Sequence, residues 1–395
     1  MASKFKKEEE EKRVLYNNIP CDFVEDILSR LDAKSLKRCE CVSKTWLSLL
    51  QTPYFINLHL RRQLPRVVFL HKRVRRFAPT LSICDCENFA EISSHKFPFI
   101  EIDCRPPSFM GSDNGVLGLF DLDNSSAYLW NPTINEFKEL PPSPQCRHKN
   151  SALGLGYDPL TTDFKVVKVS SRDKDRVFGS RNGFKEGCQV GIYSLRSNSW
   201  KAMLMPNIFS ELESSTSIIT VYTSLGCSIV VNECIHWIIL YGNTTYYHQP
   251  SLGIVAFDTS LEKFKLIESP QFPHIENGSN IRKLKLANFS GCLSLFTLDE
   301  VTVVEIWVMK KYGDSDSWFK YLSVNLSNLL SSGVGQHSDC FGVDFLSNGI
   351  LVISWTETDY WFWYDTKSKR LVNTLPRSGM PDFISYIEST YKLKA

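Results

Sequence analysis

Between residues 81 and 376 one phrase returns six times: an aromatic or small apolar strand end, a polar turn, then a second apolar strand. Its clearest copies are YLWNPTINEFKELP (128–141), GIYSLRSNSWKAM (191–203), IVAFDTSLEKFKLI (254–267) and WFWYDTKSKRLVNTLP (361–376). LSICDCENFAEI (81–92) is a fainter first copy, and EIWVMKKYGDSDSWFKYLSV (305–324) carries an expanded turn. Asn, Asp, Ser and Thr fill the turns, where short polar side chains tolerate unusual backbone angles, so each copy predicts a hairpin. With Cys84, Trp130, Tyr193, Phe257, Trp307 and Tyr364 as equivalent points, the steps are 46, 63, 64, 50 and 57 residues. Repeats of roughly 40–50 residues, lengthened by insertions, are what a β-propeller requires. A four-stranded sheet alone exposes apolar faces and free edges; sheets set round an axis hide both. A pair of β-sandwiches or an irregular barrel is the competing reading of so ragged a period.

Further strands fit between the hairpins: NGVLGLF (114–120), SALGLGYDP (151–159), DFKVVKVS (163–170), CSIVVNECIHWIIL (227–240), GCLSLFTLD (291–299) and CFGVDFLSNGILVISW (340–355). The charged, glycine-rich insertion 171–187 reads as a loop between two strands, and 205–220 and 268–282 read as similar excursions. A last strand is expected within Phe383–Leu393, placed beside the first repeat so that it closes the ring.

The first fifty residues look nothing like this. The segment 1–17 is a solvated tail of mixed charge, KFKKEEEEKR, too broken by glutamates to make a strong basic signal. From Ile19 to Leu50 the chain reads as helices. Asp22 and Glu25 suggest a capping pair, and Phe23, Ile27 and Leu31 recur at four-residue spacing as one apolar face. Asp32 ends that helix near the start of the next; Leu36, Cys39 and Val42, then Trp46, Leu49 and Leu50, make further helical faces. Thr52–Arg66 adds one more helical segment, stopped near Pro65. Three short helices in some 35 residues bury too little area to be comfortable alone, so the unit either packs on the β body or is completed by a partner. The charged flanks KKEEEEKR and HLRRQLPR favour a partner. The expected organisation is therefore a mainly β chain with a small N-terminal helical domain: tail 1–17, helical unit 18–64 and a β-propeller-like body of about six blades over 65–395.

Composition narrows the function classes. A formal charge of +2 creates no global field toward nucleic acid or an anionic membrane. The local cluster Arg61, Arg62, Arg66, Lys72, Arg73, Arg75 and Arg76 lacks interleaved aromatic platforms and is read as a solvated hinge. The N-terminus shows no apolar signal region, and no run reaches membrane-helix length, which sets the expectation of a cytoplasmic chain, with the nucleus as a second compartment. Its twelve cysteines are then expected to be buried thiols. Cys84 and Cys86 form a C-x-C with no second ligand pair at zinc spacing, so no metal and no cofactor are expected. His236, in an apolar strand beside Trp237, reads as a satisfied core histidine, and Asp158, Asp258 and Asp365 read as turn chemistry. No catalytic motif stands out, although a propeller glycosidase with acids drawn from distant blades remains an alternative.

The helical segment resembles an F-box. That family's pattern is a Leu-Pro or Ile-Pro pair, a helix ending EILSRL, then KSL.R...VSK.W..L; this chain has Ile19-Pro20, EDILSRL (25–31), KSLKRCECVSKTW (34–46) and LSLL (47–50). It departs at Asp32, where the family usually has proline, and at Cys39 and Glu40. The body resembles the plant F-box-associated domain through NGVLGL, WNPTINEFKELP, LGLGYDPLTTDFKVVKV, VGIYSLRSNSW and the terminal YIEST, with phrases similar to the S-locus F-box branch of pollen. The resemblance implies docking on a Skp-type adaptor, and through it on cullin and a RING subunit, in a ubiquitin ligase. By position it implies that Ile19, Pro20, Ile27, Leu28, Leu36, Cys41, Val42, Ser43 and Trp46 form the adaptor interface or its immediate support. The β domain would then hold a protein target for ubiquitination without supplying a nucleophile, and the S-locus branch makes a pistil ribonuclease a candidate target. A non-ligase interaction module is the alternative.

Overall fold

The computed structural model describes residues 21–71, 79–86, 90–100, 107–121, 124–143, 151–170, 189–204, 218–221, 228–242, 251–270, 284–299, 303–325, 341–345, 349–355, 360–376 and 382–393. Among the described residues four short helices come first: α1 (Cys21–Leu28), α2 (Ala33–Cys39), α3 (Lys44–Leu50) and α4 (Pro53–Leu60). Side chains open three of them. The Ser35 N–H donates to Asp32 at 2.8 Å, the Trp46 N–H to Ser43 at 3.1 Å and the Phe55 N–H to Thr52 at 3.1 Å. Each cap satisfies a backbone donor that a helix start leaves open. The extra helix before Pro65 is present, and Asp32 stands at the start of α2 as expected. But α1 ends at Leu28, four residues before it, and Asp32 opens the next helix rather than closing the first. The expected cap at Asp22 does not form: α1 is already helical at Cys21, so Asp22 lies inside its first turn.

Leu28, Leu36, Leu50 and Phe55 form the buried centre of this head, with Val24, Leu31, Cys39, Trp46 and Leu49 packed on it. α4 is fastened back to α1. His59 Nε2 lies 2.9 Å from the Leu31 carbonyl and the Gln63 amide donates to the same oxygen at 3.2 Å. Arg62 donates to the Asp26 carboxylate and to the Ser29 hydroxyl, both at 2.7 Å. Arg66 pairs with Asp85. Two arginines of the expected solvated hinge are thus structural ties, because carboxylates wait beside them; Lys72, Arg73, Arg75 and Arg76 lie outside the described residues.

The body consists of six antiparallel sheets, the blades of a propeller. All six anchor residues read from the sequence fall on the third strand of their blade, counted from the axis. Blade one is composite: its inner strand is Asp382–Tyr386, paired with Arg66–His71 so that Phe383 faces Phe69. The ring is closed by the C-terminal segment, as expected, but the strand ends at Tyr386 and residues 387–393 continue as irregular chain. In blade four the inner edge is split between Ile218–Val221 and Ile229–Val231, both paired with Cys234–Gly242. The end of the expected excursion 205–220 is therefore strand; a run of branched residues, IITV, finds an edge to pair with.

Close approach of neighbouring blades needs small residues. A Cβ on Gly154 would stand 2.5 Å from Ile235 and Trp237 of the next blade. Among the described residues no helix is long and apolar enough to cross a membrane.

Strand direction gives the propeller two distinct ends. At one end, the inner strand of every blade finishes and the chain enters from the helical head at Arg66, opposite Tyr386. This head face carries short turns such as Asn114–Gly115, Pro132–Asn135, Pro159–Thr162 and Thr259–Glu262. The strand ends that flank residues 72–78, 171–188, 205–217, 243–250, 271–283 and 326–340 all lie at the opposite, far face.

Candidate functional site

The head sorts its apolar residues into two classes. Leu28 and Leu36, named among the interface residues from sequence, are buried in its core. Trp46 is half-buried and packs on that core, which fixes the start of α3 together with the Ser43 cap. Ile27 and Val42 point to solvent, 57% and 63% exposed, and Cys41 and Ser43 are exposed beside Val42. Ile19 and Pro20 lie outside the described residues. Phe23, one turn before Ile27 on α1, is 62% exposed. It belongs with the outward set, although the sequence comparison did not single it out. Tyr54 and Leu64 are exposed too, and no sequence signal separated them from core positions.

The outward face has a physical origin. α1 carries two apolar stripes: Val24 and Leu28 turn inward, joined by Leu31 just beyond the helix, and leave Phe23 and Ile27 outside. A helix of eight residues has room for only one buried stripe when a single layer of helices packs on it. Covering a side chain such as Ile27 or Val42 fully is worth roughly 1.5–3 kcal/mol.

The body holds the head through the segment after the closing strand. The Asn131 amide donates to the carbonyls of Ser389 and Tyr391, each at 3.0 Å, pinning that segment to blade two. Gly115, with φ +77°, admits it: a Cβ there would stand 2.1 Å from the Ser389 hydroxyl. Tyr391 wedges edge-on against Tyr157 and Phe164 of blade three. Next to it the Lys392 ammonium lies 3.6 Å from Glu40 of the head. Glu388 is buried close by, and burial raises its carboxyl despite the cations Arg66 and Lys34.

The groups that first suggest chemistry are structural. His236 is fully buried, with Nε2 2.8 Å from the Tyr312 hydroxyl and Nδ1 3.3 Å from the Ile229 carbonyl; burial pushes it down to about 4. Asp158, Asp258 and Asp365 each accept a backbone N–H two residues on, from Leu160 at 3.0 Å, Ser260 at 2.9 Å and Lys367 at 2.8 Å. Asn131 does the same for Thr133 at 3.1 Å. The fifth residue of each turn, Asn135, Thr162, Glu262 or Lys369, takes a left-handed φ of 52–55°. Burial opposes ionisation of Asp158, but Ser260, Thr161 and Lys165 hold it at about 2. Burial pushes Asp113 up to about 7, and its carboxylate is occupied by the Tyr157 N–H at 2.7 Å, a tie between blades two and three. Cys84 is buried and its thiol pushed up to about 11, while the Cys86 thiol donates to the Pro65 carbonyl at 2.7 Å. Among the described residues no group of three or more His, Cys, Asp or Glu side chains is placed to hold a metal.

A family profile described as the F-box associated beta propeller domain matches residues 82–391, and one described as the F-box domain matches residues 17–58. The F-box protein CPR1 of Arabidopsis thaliana is 28% identical over 372 residues, covering 89% of this chain and 83% of that protein. The F-box protein At4g22390 of the same plant is 29% identical, over 77% of this chain and 73% of its own. Among solved structures, the β-propeller domain of Myceliophteria thermophila Cps50 (Swd1) aligns with a TM-score of 0.41 and 11% identity, over 79% of this chain and 83% of that one.

Proposed function

Because the chain belongs to the F-box proteins that carry a C-terminal F-box associated β-propeller domain, we propose that it is the substrate receptor of a cullin-based ubiquitin ligase. As in that family, the chain is a non-catalytic subunit. The head docks on a Skp-type adaptor, which brings cullin and the RING subunit. The propeller presents a target protein to the ubiquitin-loaded enzyme, and catalysis is proximity: a bound target meets the donor at high effective concentration. The observation that carries this reading is the apolar surface left open on the head. Phe23, Ile27 and Val42 stay exposed although a propeller lies against the same unit. A head sealed on the body would have offered a partner nothing.

Topology supports a division of faces. The head occupies one end of the ring, and the strand ends flanking residues 171–188, 205–217 and 271–283 occupy the other. Loops on a rigid scaffold are where recognition is usually built, so the target is engaged at the far face. A cytoplasmic location, with the nucleus second, goes with this reading. The S-locus phrases make a pistil ribonuclease the first target to test.

The test is purification of the full chain with a Skp-type adaptor, beside the Val42→Asp variant. Wild type is expected to form a stable complex, and the charged variant to lose it at least a hundredfold, since a buried unpaired carboxylate is prohibitive. Equal affinity of both proteins overturns the interface. Reconstitution with cullin and RING subunit then separates a ligase receptor from a plain interaction module, by ubiquitin on the captured target.

A further inference from the structure

Leu160 is the most exposed large apolar side chain among the described residues, at 78%, and Leu261 is 64% exposed. Both sit on turn tips of the head face, in blades three and four. The turns do not need them. The turn Asp365–Lys369 has the same carboxylate-to-backbone bond and the same left-handed fifth residue, with Lys367 and Ser368 at the places of Leu160 and Leu261. Single exposed leucines are common on protein surfaces; two on adjoining tips where polar residues serve equally well are not explained by the fold.

The two tips are also locked together. The Ser260 hydroxyl donates to Asp158 at 2.6 Å, and the Lys165 ammonium reaches the Thr259 carbonyl at 2.6 Å, Glu262 at 3.0 Å and Asp158 at 3.1 Å. A ridge held this way loses little conformational freedom when something covers it. It is continuous with the exposed part of the head. The Tyr391 hydroxyl donates to the Thr162 carbonyl at 3.1 Å, Lys392 follows in the chain and faces Glu40 at 3.6 Å, and Val42 is two residues beyond Glu40.

We propose that the adaptor contact runs off the helical head onto this ridge, so that one adaptor molecule touches Val42 on the head and Leu160 and Leu261 on the propeller. The inference rests on the receptor reading above and extends it. Its consequence is rigidity: an adaptor gripping both units fixes the angle at which the far face is presented.

Three full-length proteins decide it: wild type, a Leu160→Ser/Leu261→Ser double variant, and Val42→Asp, each titrated with the Skp-type adaptor. The serines keep turn geometry, as Ser260 and Ser368 show, and an unchanged thermal transition verifies that. The double variant is expected to bind about tenfold more weakly, mostly through faster dissociation, while Val42→Asp abolishes binding. If the double variant binds like wild type and Val42→Asp still abolishes the complex, the contact ends at the head and this inference is wrong. If wild type itself ignores the adaptor, the receptor reading falls first and takes the ridge with it. If the serines remove self-association of the chain and leave adaptor affinity intact, the ridge belongs to a second copy and the inference is likewise overturned.

Discussion

The helical head and the propeller use apolar residues in opposite ways. In the propeller, strands such as Ala127–Asn131 are buried at every position, because each sheet is covered on both faces by neighbouring blades. In the head, one small core is all that four short helices can build, and residues of equal hydrophobicity remain outside it. The body finds its complement within its own ring, while the head leaves part of its complement to another molecule. An exposed Ile27 is therefore informative where a buried Ile239 is not: burial is what any core demands, and exposure on a unit already short of core is a sign of unfinished packing.

If the propeller is one closed cooperative object, opening it should have the largest effect. Removing residues 382–395 leaves blade one without its inner strand and is expected to abolish the sharp thermal transition of the β signal. A truncated chain that melts as steeply as wild type would mean that the blades stand independently. A smaller effect comes from His236. The unfolded ring ionises near 6.5 but the buried one only near 4, so the unfolded state takes up the proton first. Stability is then lost as pH falls from about 6.5 to about 4, by roughly 3 kcal/mol. An NMR titration showing this imidazole charged at pH 6 contradicts that. The mildest change sharpens the contrast from the other side. Asp32→Ala removes the α2 cap and should cost about 1 kcal/mol, confined to the head. An equal shift in the propeller's own transition would show that head and body fold as one unit.

Much of this was legible in the sequence. The points Cys84, Trp130, Tyr193, Phe257, Trp307 and Tyr364 mark equivalent strands because a hairpin turn writes itself in short polar residues at fixed offsets from its aromatic. The helix starts capped by Asp32, Ser43 and Thr52 are likewise local chemistry. What stayed hidden depended on which of two equivalent surfaces the core chose. Phe23, Ile27 and Leu31 have helical spacing, yet Leu31 packs inward and the other two do not. Periodicity shows a stripe, not its destination. The split inner edge of blade four was missed for a related reason: Ile218–Val221 is four residues long and becomes a strand only because Cys234–Gly242 offers it an edge.

Closure of blade one by Asp382–Tyr386 orders events at the ribosome. The helical head is made first, and five blades can assemble from consecutive chain as it emerges. The partner of Arg66–His71 arrives only after more than three hundred further residues. Until translation passes Tyr386, one blade waits with a bare edge, open to proteases and to mispairing. Nascent chains stalled before that point should be cleaved readily, and those released beyond it should resist.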